Sequence, residues 1–185
     1  MDTRLIAELI SIGVGILAIA SMQFKSMTLI LLFQIGCNTL ISLTYALKDA
    51  MSGAGICLIA VVQTVLVFFF QKKNKTFPIY LTGIFVVLYI ACSAMTAQGW
   101  VDIFSAAAAI CYALSVVQTK PSVYRIFMLG NALLWTAYDI TAKATIILIL
   151  THSLLALSGL IAMVRLDRKD WKAFFDRLAH RADPS

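Results

Sequence analysis

Seven apolar stretches consume almost the whole of this 185-residue chain, each near the length that crosses the hydrocarbon core of a bilayer. They run over about 5–22, 27–47, 50–70, 78–95, 101–118, 123–140 and 144–164. In lipid, backbone polar groups must find partners inside their own segment, so stretches of this length and character fold as helices. The links between them are short, and no soluble catalytic domain fits. Composition agrees: 61% of residues are hydrophobic, 13% are charged, and mean hydropathy is +0.91. The first stretch reads as a retained span and not as a cleaved leader. It carries Glu8, has no basic leader beyond Arg4, and lacks a clear small-x-small site.

Net charge is +6, and its distribution sets an expected orientation. With the N-terminus outside, twelve Lys and Arg fall on the inner side: Lys25, Lys72, Lys73, Lys75, Lys120, Arg125, Arg165, Arg168, Lys169, Lys172, Arg177 and Arg181. Three fall outside: Arg4, Lys48 and Lys143. This bias predicts an outer N-terminus, an inner C-terminus and an odd number of spans. Anionic lipid at the inner face accounts for the basic balance, and no nucleic-acid partner is needed. Cys37, Cys57, Cys92 and Cys111 all lie within apolar spans, where thiols act as small hydrophobes. They form neither a disulfide framework nor a CxxC metal pattern.

One order of features occurs twice. Gln23-Phe24-Lys25 precedes an apolar run with Asn38 and, seven residues on, Tyr45. Gln118-Thr119-Lys120 precedes another with Asn131 and, again seven on, Tyr138. The Gln-to-Asn spacing is fifteen in the first copy and thirteen in the second. Spans 1–3 and 5–7 therefore read as repeats. A three-helix unit has odd parity, so one extra linker helix between copies gives both the same orientation. The expected fold is an all-α integral membrane protein, with seven transmembrane helices as two parallel three-helix bundles joined by a linker (3+1+3). The expected segments are 1–70, the basic loop and linker helix 71–97, the second repeat 98–165, and an amphipathic cytoplasmic tail 166–185. In that tail Trp171, Phe174, Phe175 and Leu178 follow helical spacing among basic residues.

Gln34, Asn38 and Tyr45 share one face of span 2, and Asn131, Trp135 and Tyr138 one face of span 6. Amides both donate and accept, and Tyr and Trp give flat walls with a polar tip. Such stripes suit the lining of a pocket for a polar, ring-containing solute, with Gln63 and His152 in support. Intramembrane amides also serve as plain interhelical hydrogen bonds, and that reading stands beside the first. Glu8, Asp102 and His152 are candidates for ion or proton coupling. Glu8 and Asp102 also read as acids favouring a helix N-terminus. Asp139 reads as an interfacial ion pair with Lys143. Gly13, Gly15 and the run Ser105 to Ala109 allow close helix approach.

The glutamine turns after the first helix of each repeat, with this helix arithmetic, resemble the SWEET and PQ-loop superfamily of small transporters. The length and the start Ser21-Met22-Gln23-Phe24-Lys25-Ser26 most resemble the YgjV-type bacterial inner membrane proteins. The stretch Asn131-Ala132-Leu133-Leu134-Trp135-Thr136-Ala137-Tyr138 fits that family too, and is similar to vitamin-precursor transporters of the PnuC type. Met22 and Val117 stand where a PQ-loop has proline, so a hinge at that proline is not carried over. The resemblance implies a transporter-like fold and a bacterial inner membrane location.

No nucleophile–base pair, phosphate-cradling loop, metal-ligand cluster or cofactor signature is present, so an enzyme is not expected. The favoured function is transport of a small polar solute by alternating access, with Gln23, Lys25, Gln118 and Lys120 marking the repeats. The alternatives are a non-transporting receptor using the same pocket and a structural subunit of a membrane assembly. Oligomeric state is left open.

Overall fold

The computed structural model describes residues 3–47, 51–97, 99–141 and 146–173. The described residues form helices joined by short turns, with no strand among them. In chain order these are α1 (Thr3–Ser21), α2 (Met27–Leu47), α3 (Met51–Lys72), α4 (Ile79–Thr96), α5 (Asp102–Val116), α6 (Pro121–Thr141) and α7 (Ile146–Leu166). An eighth, α8, covers 168–173. The remainder of the tail, with Phe174, Phe175, Leu178, Arg177 and Arg181, lies outside the described residues. So do Lys48, Lys143 and the side chains of Glu8 and Tyr45.

Local chemistry sets the boundaries. Pro121 opens α6, where its missing N–H costs nothing and its fixed φ suits a first helical residue. Pro78 precedes α4 in extended backbone, with φ −63° and ψ 136°. At the end of α3, Asn74 takes φ 54°, a left-handed conformation that asparagine tolerates better than most residues. The Lys75 N–H then reaches the Phe70 carbonyl at 2.9 Å, and the Asn74 N–H reaches that of Gln71 at 2.9 Å. These two bonds close α3 in a Schellman turn.

Three helices are long and apolar enough to cross a membrane by themselves: Met27–Thr44 in α2, Ala54–Lys72 in α3 and Ile149–Leu166 in α7. The segments Leu9–Ser21, Ile79–Met95 and Asp102–Val116 are shorter apolar helices. The expectation of seven equivalent spans is thus met in part. In α6 the apolar run is broken by Tyr124, Arg125, Asn131 and Asp139, all buried. In α5 the helix is only 15 residues long.

Neighbouring helices pack in chain order from α1 to α7, α7 packs back on α1, and α3 touches α5 directly as well as through α4. The contacts close into a ring. Its outer surface is apolar: Ile16, Leu58, Val87, Leu157, Ile161 and Val164 are all exposed. Its interior mixes apolar and polar groups. Ile30, Leu31, Val67, Ala113 and Val116 are buried there, and so are Gln34, Asn38, Gln63, Thr64 and Asn131. Val164 is 74% exposed while Arg125 is 0% exposed, the inversion expected of a chain whose solvent is lipid.

The two glycines of α1 differ. A Cβ at Gly15 would sit 3.1 Å from Thr151 Cγ2 on α7, whereas one at Gly13 would meet nothing within 4 Å. Close approach is therefore required at Gly15 alone. We expect Gly13→Ala to leave thermal stability in detergent unchanged or higher, since alanine favours a helix by about 0.5–1 kcal/mol over glycine. Gly15→Val should lower it by forcing α1 from α7. Equal effects at both positions would contradict this packing.

Candidate functional site

Three polar clusters lie inside the ring. The first centres on Tyr112 of α5, a residue with no part in the sequence-based stripes. Asn38 Nδ2 donates to Tyr112 Oη at 2.7 Å and to the Gln34 carbonyl one turn back at 2.8 Å. Thr64 Oγ1 lies 2.9 Å from the same phenol and donates to the Ala60 carbonyl at 2.7 Å. With the threonine proton so used, the phenol proton points to Thr64 and its oxygen accepts from Asn38. Gln34 Nε2 donates to Ser21 Oγ at 3.3 Å. Gln63 Nε2 donates to the Ala113 carbonyl of α5 at 3.1 Å, and its Oε1 is buried without a hydrogen-bond partner. Asn131 Nδ2 donates to the Ala108 carbonyl of α5 at 2.8 Å. The small residues predicted for close approach, Ala108 and Ala109, are what lets these amides reach the α5 backbone. Asn38 and Asn131 thus both point at α5, each with its amide donor engaged.

The second cluster joins residues expected to act apart. The rings of Trp135 on α6 and His152 on α7 stack with centroids 5.7 Å apart and planes 15° apart. Trp135 also meets Tyr138 edge-on at 5.5 Å. His152 Nδ1 lies 2.7 Å from Asp139 Oδ2. The Tyr138 hydroxyl lies near the Asp102 carboxylate, whose Oδ2 accepts from the Gly99 N–H at 2.9 Å. Three predicted site residues, Trp135, Tyr138 and His152, are brought together here with the coupling candidate Asp102. Asp139 is a buried partner of His152, with side chains 4% and 23% exposed respectively. Its expected pairing with Lys143 lies outside the described residues.

The third cluster lies at the opposite end of α6. Arg125 was expected among loop charges facing the cytoplasm, yet it is wholly buried. Its Nε donates to the Met22 carbonyl at 2.8 Å, and its Nη1 to Asp167 Oδ1 at 2.6 Å. Nη2 donates to the Phe24 carbonyl. Burial pushes the Asp167 carboxyl up from its ordinary value, with Arg125 drawing it back down. Gln23 of the repeat motif binds beside it. Its Nε2 donates to Ser158 Oγ at 2.9 Å and to the Ser158 carbonyl at 3.0 Å, and its Oε1 accepts from Arg165 at 2.9 Å. In the second copy the Gln118 carbonyl accepts from Gln71 at 2.8 Å, and the Gln118 side chain turns to its own helix at the Leu114 carbonyl. Lys25 and Lys120 are exposed.

Tyr112, Thr64, the Asp139–His152 contact and the Arg125–Asp167 pair were not singled out from sequence. The signal existed for Arg125, which follows Pro121 by four residues and so falls inside a helix.

A ring of apolar-coated helices with buried polar contacts defines a multi-helix integral membrane protein. A family model described as bacterial inner membrane protein (Imp-YgjV) matches residues 5–170, and the chain belongs to that family. Among curated proteins and among solved structures, nothing matches the chain.

Arg125→Ala should destabilise the protein by about 3–5 kcal/mol, because it leaves Asp167 buried and unpaired. Tyr112→Phe should cost less, roughly 1 kcal/mol, since Asn38 retains the Gln34 carbonyl. Denaturant titration in detergent orders the two; the reverse order would show that Tyr112 and not Arg125 holds the ring.

Proposed function

We propose that this protein transports a small polar solute by alternating access between two three-helix units, α1–α3 and α5–α7, with α4 as linker. On this reading its N-terminus lies outside and its C-terminus in the cytoplasm, which the charge bias supports. The reading rests first on one observation: a buried Asp139 on α6 pairs with a half-buried His152 that stacks on the Trp135 ring, on a helix apolar enough to span the membrane. Ionisable groups within apolar helices are costly and mark solute or proton paths. A histidine held through Nδ1 on a carboxylate leaves Nε2 for a second partner, and a carboxylate–imidazole contact can pass a proton, so the proposal includes proton coupling of solute movement.

The parallel-repeat reading has support in the contacts among the six helices other than α4, which keep their pattern when α1, α2 and α3 are exchanged with α5, α6 and α7. Then α1–α2 maps to α5–α6, α2–α3 to α6–α7, and α3–α5 to α7–α1. Hydrogen bonds follow the same exchange. Gln63 on α3 bonds the Ala113 carbonyl on α5, and Ser158 on α7 bonds the Ile19 carbonyl on α1 at 3.0 Å. Ser158 stands 95 residues after Gln63 (158 − 63), the offset that carries Gln23 to Gln118 (118 − 23). Gln63 Oε1, buried without a hydrogen-bond partner, is an acceptor that a solute donor could satisfy if the helices part.

A structural-subunit reading draws on a different fact: the donors of Asn38, Gln63 and Asn131 are all engaged across helix contacts. The two are separated by reconstitution. Proteoliposomes are screened with nucleosides, sugars, amino acids and vitamins, with and without an imposed pH gradient. Transport predicts uptake of one class, faster with the gradient, and at least tenfold loss of that gradient response in Asp139→Asn and His152→Ala proteins that remain folded. No uptake of any class, with no ligand-induced rise in thermal stability, favours the subunit.

A further inference from the structure

We infer that the junction of α7 and α8 carries a binding site for a single anionic phospholipid. A groove of about 490 Å³ opens there, lined by Leu160, Met163, Val164, Arg168 and Trp171. That volume lies in the range of about 300–1,000 Å³ usual for small-molecule sites. Leu160, Met163 and Val164 follow i, i+3, i+4 spacing on one face of α7, and Arg168 and Trp171 continue the stripe on α8. At 1.5 Å per residue the α7 part of the stripe, Leu160 to Val164, rises roughly 6 Å.

The chemistry of the stripe is graded along its length. The α7 part is wholly aliphatic and thioether, and it belongs to the membrane-spanning segment that ends at Leu166. It offers an acyl chain a flexible, polarizable wall. The α8 part offers a guanidinium and an indole, the side chains that settle where headgroups meet hydrocarbon. Arg168 presents a planar fork of donors suited to a phosphate. Lys169, Lys172 and Arg165, all exposed nearby, make this end of the bundle positive and complementary to an anionic headgroup. The turn that shapes the groove is fixed from inside. Asp167, between Leu166 and Arg168, points inward to Arg125 at 2.6 Å, and the Trp171 N–H bonds the Asp167 carbonyl at 3.0 Å. The basic end of the groove is therefore anchored to the buried clamp, which makes it a built site and not a bare greasy face. The inference does not depend on transport.

The test is native mass spectrometry of the full-length protein in detergent, titrated with phosphatidylglycerol or with phosphatidylcholine of the same acyl chains. One phosphatidylglycerol should be retained at least tenfold more tightly than phosphatidylcholine. Arg168→Gln should abolish that preference, and Val164→Trp, which fills the groove, should weaken retention of both lipids. Lys169→Gln, a loss of charge outside the groove, should preserve the preference. Each variant is checked for native helix content and monodisperse elution. Equal retention of the two lipids by the wild type would overturn the proposal. So would an equal loss in Arg168→Gln and Lys169→Gln, which would mean diffuse attraction to a basic surface.

Discussion

The Arg125 guanidinium is the group on which the arrangement of this bundle depends. It sits one turn into α6, fully buried, and ties together three parts of the chain that sequence separates by 42 to 103 residues. It bonds the Met22 and Phe24 carbonyls in the α1–α2 turn and the Asp167 carboxylate at the α7–α8 junction. A buried charge is tolerated only where its donors are met, so the α1–α2 turn, α6 and the end of α7 cannot part independently. Gln23 reinforces the same corner by joining α1 to α7 through Ser158. This explains why the ring closes between α7 and α1, helices with no chain connection.

Around the rest of the ring, α5 acts as the common acceptor. Its run of alanines leaves carbonyls within reach of side chains from α3 and α6, and Tyr112 supplies a phenol to α2 and α3. Individual hydrogen bonds between membrane helices average only about 0.6 kcal/mol. Their larger effect is negative: a lipid-facing amide would forfeit several kcal/mol. The network therefore fixes which faces turn inward and in what register, while apolar packing of residues such as Ile30, Leu31, Val67 and Ala113 fills the space between.

Helix positions were legible because lipid leaves the backbone no alternative. No observed boundary from α1 to α7 differs by more than two residues from the apolar stretch that announced it. Inward orientation of Gln34, Asn38, Gln63 and Asn131 was legible for the same reason. Partners were not. The stripes on α2 and α6 gave a periodicity, which fixes direction relative to the helix axis but not the helix being faced, and both turned out to address α5. Arg125 was counted with the loop charges, which assumes that charged residues near helix ends stay in water, and Asp139 was read against its nearest basic neighbour in sequence. Each has a partner that burial requires, Asp167 and His152, lying 42 and 13 residues away and invisible to local spacing.

The two ends of α6 now carry opposite chemistry. At one end a permanently charged guanidinium is sealed from solvent and saturated with partners. At the other a carboxylate contacts a histidine that is still 23% exposed and stacks on Trp135, which in turn meets Tyr138. A guanidinium does not titrate in the physiological range, so the Arg125 end can change only by moving. The carboxylate–imidazole contact at the other end is one through which a proton can pass, so the His152 end can respond without moving. If α6 and α7 shift as a unit, a proton arriving at His152 alters the balance of a rigid element whose other end is the clamp. Under the transport reading, that gives the two ends different work: one senses, the other opens. Under the subunit reading the same asymmetry has no use, which is why proton dependence, more than solute binding alone, discriminates between them.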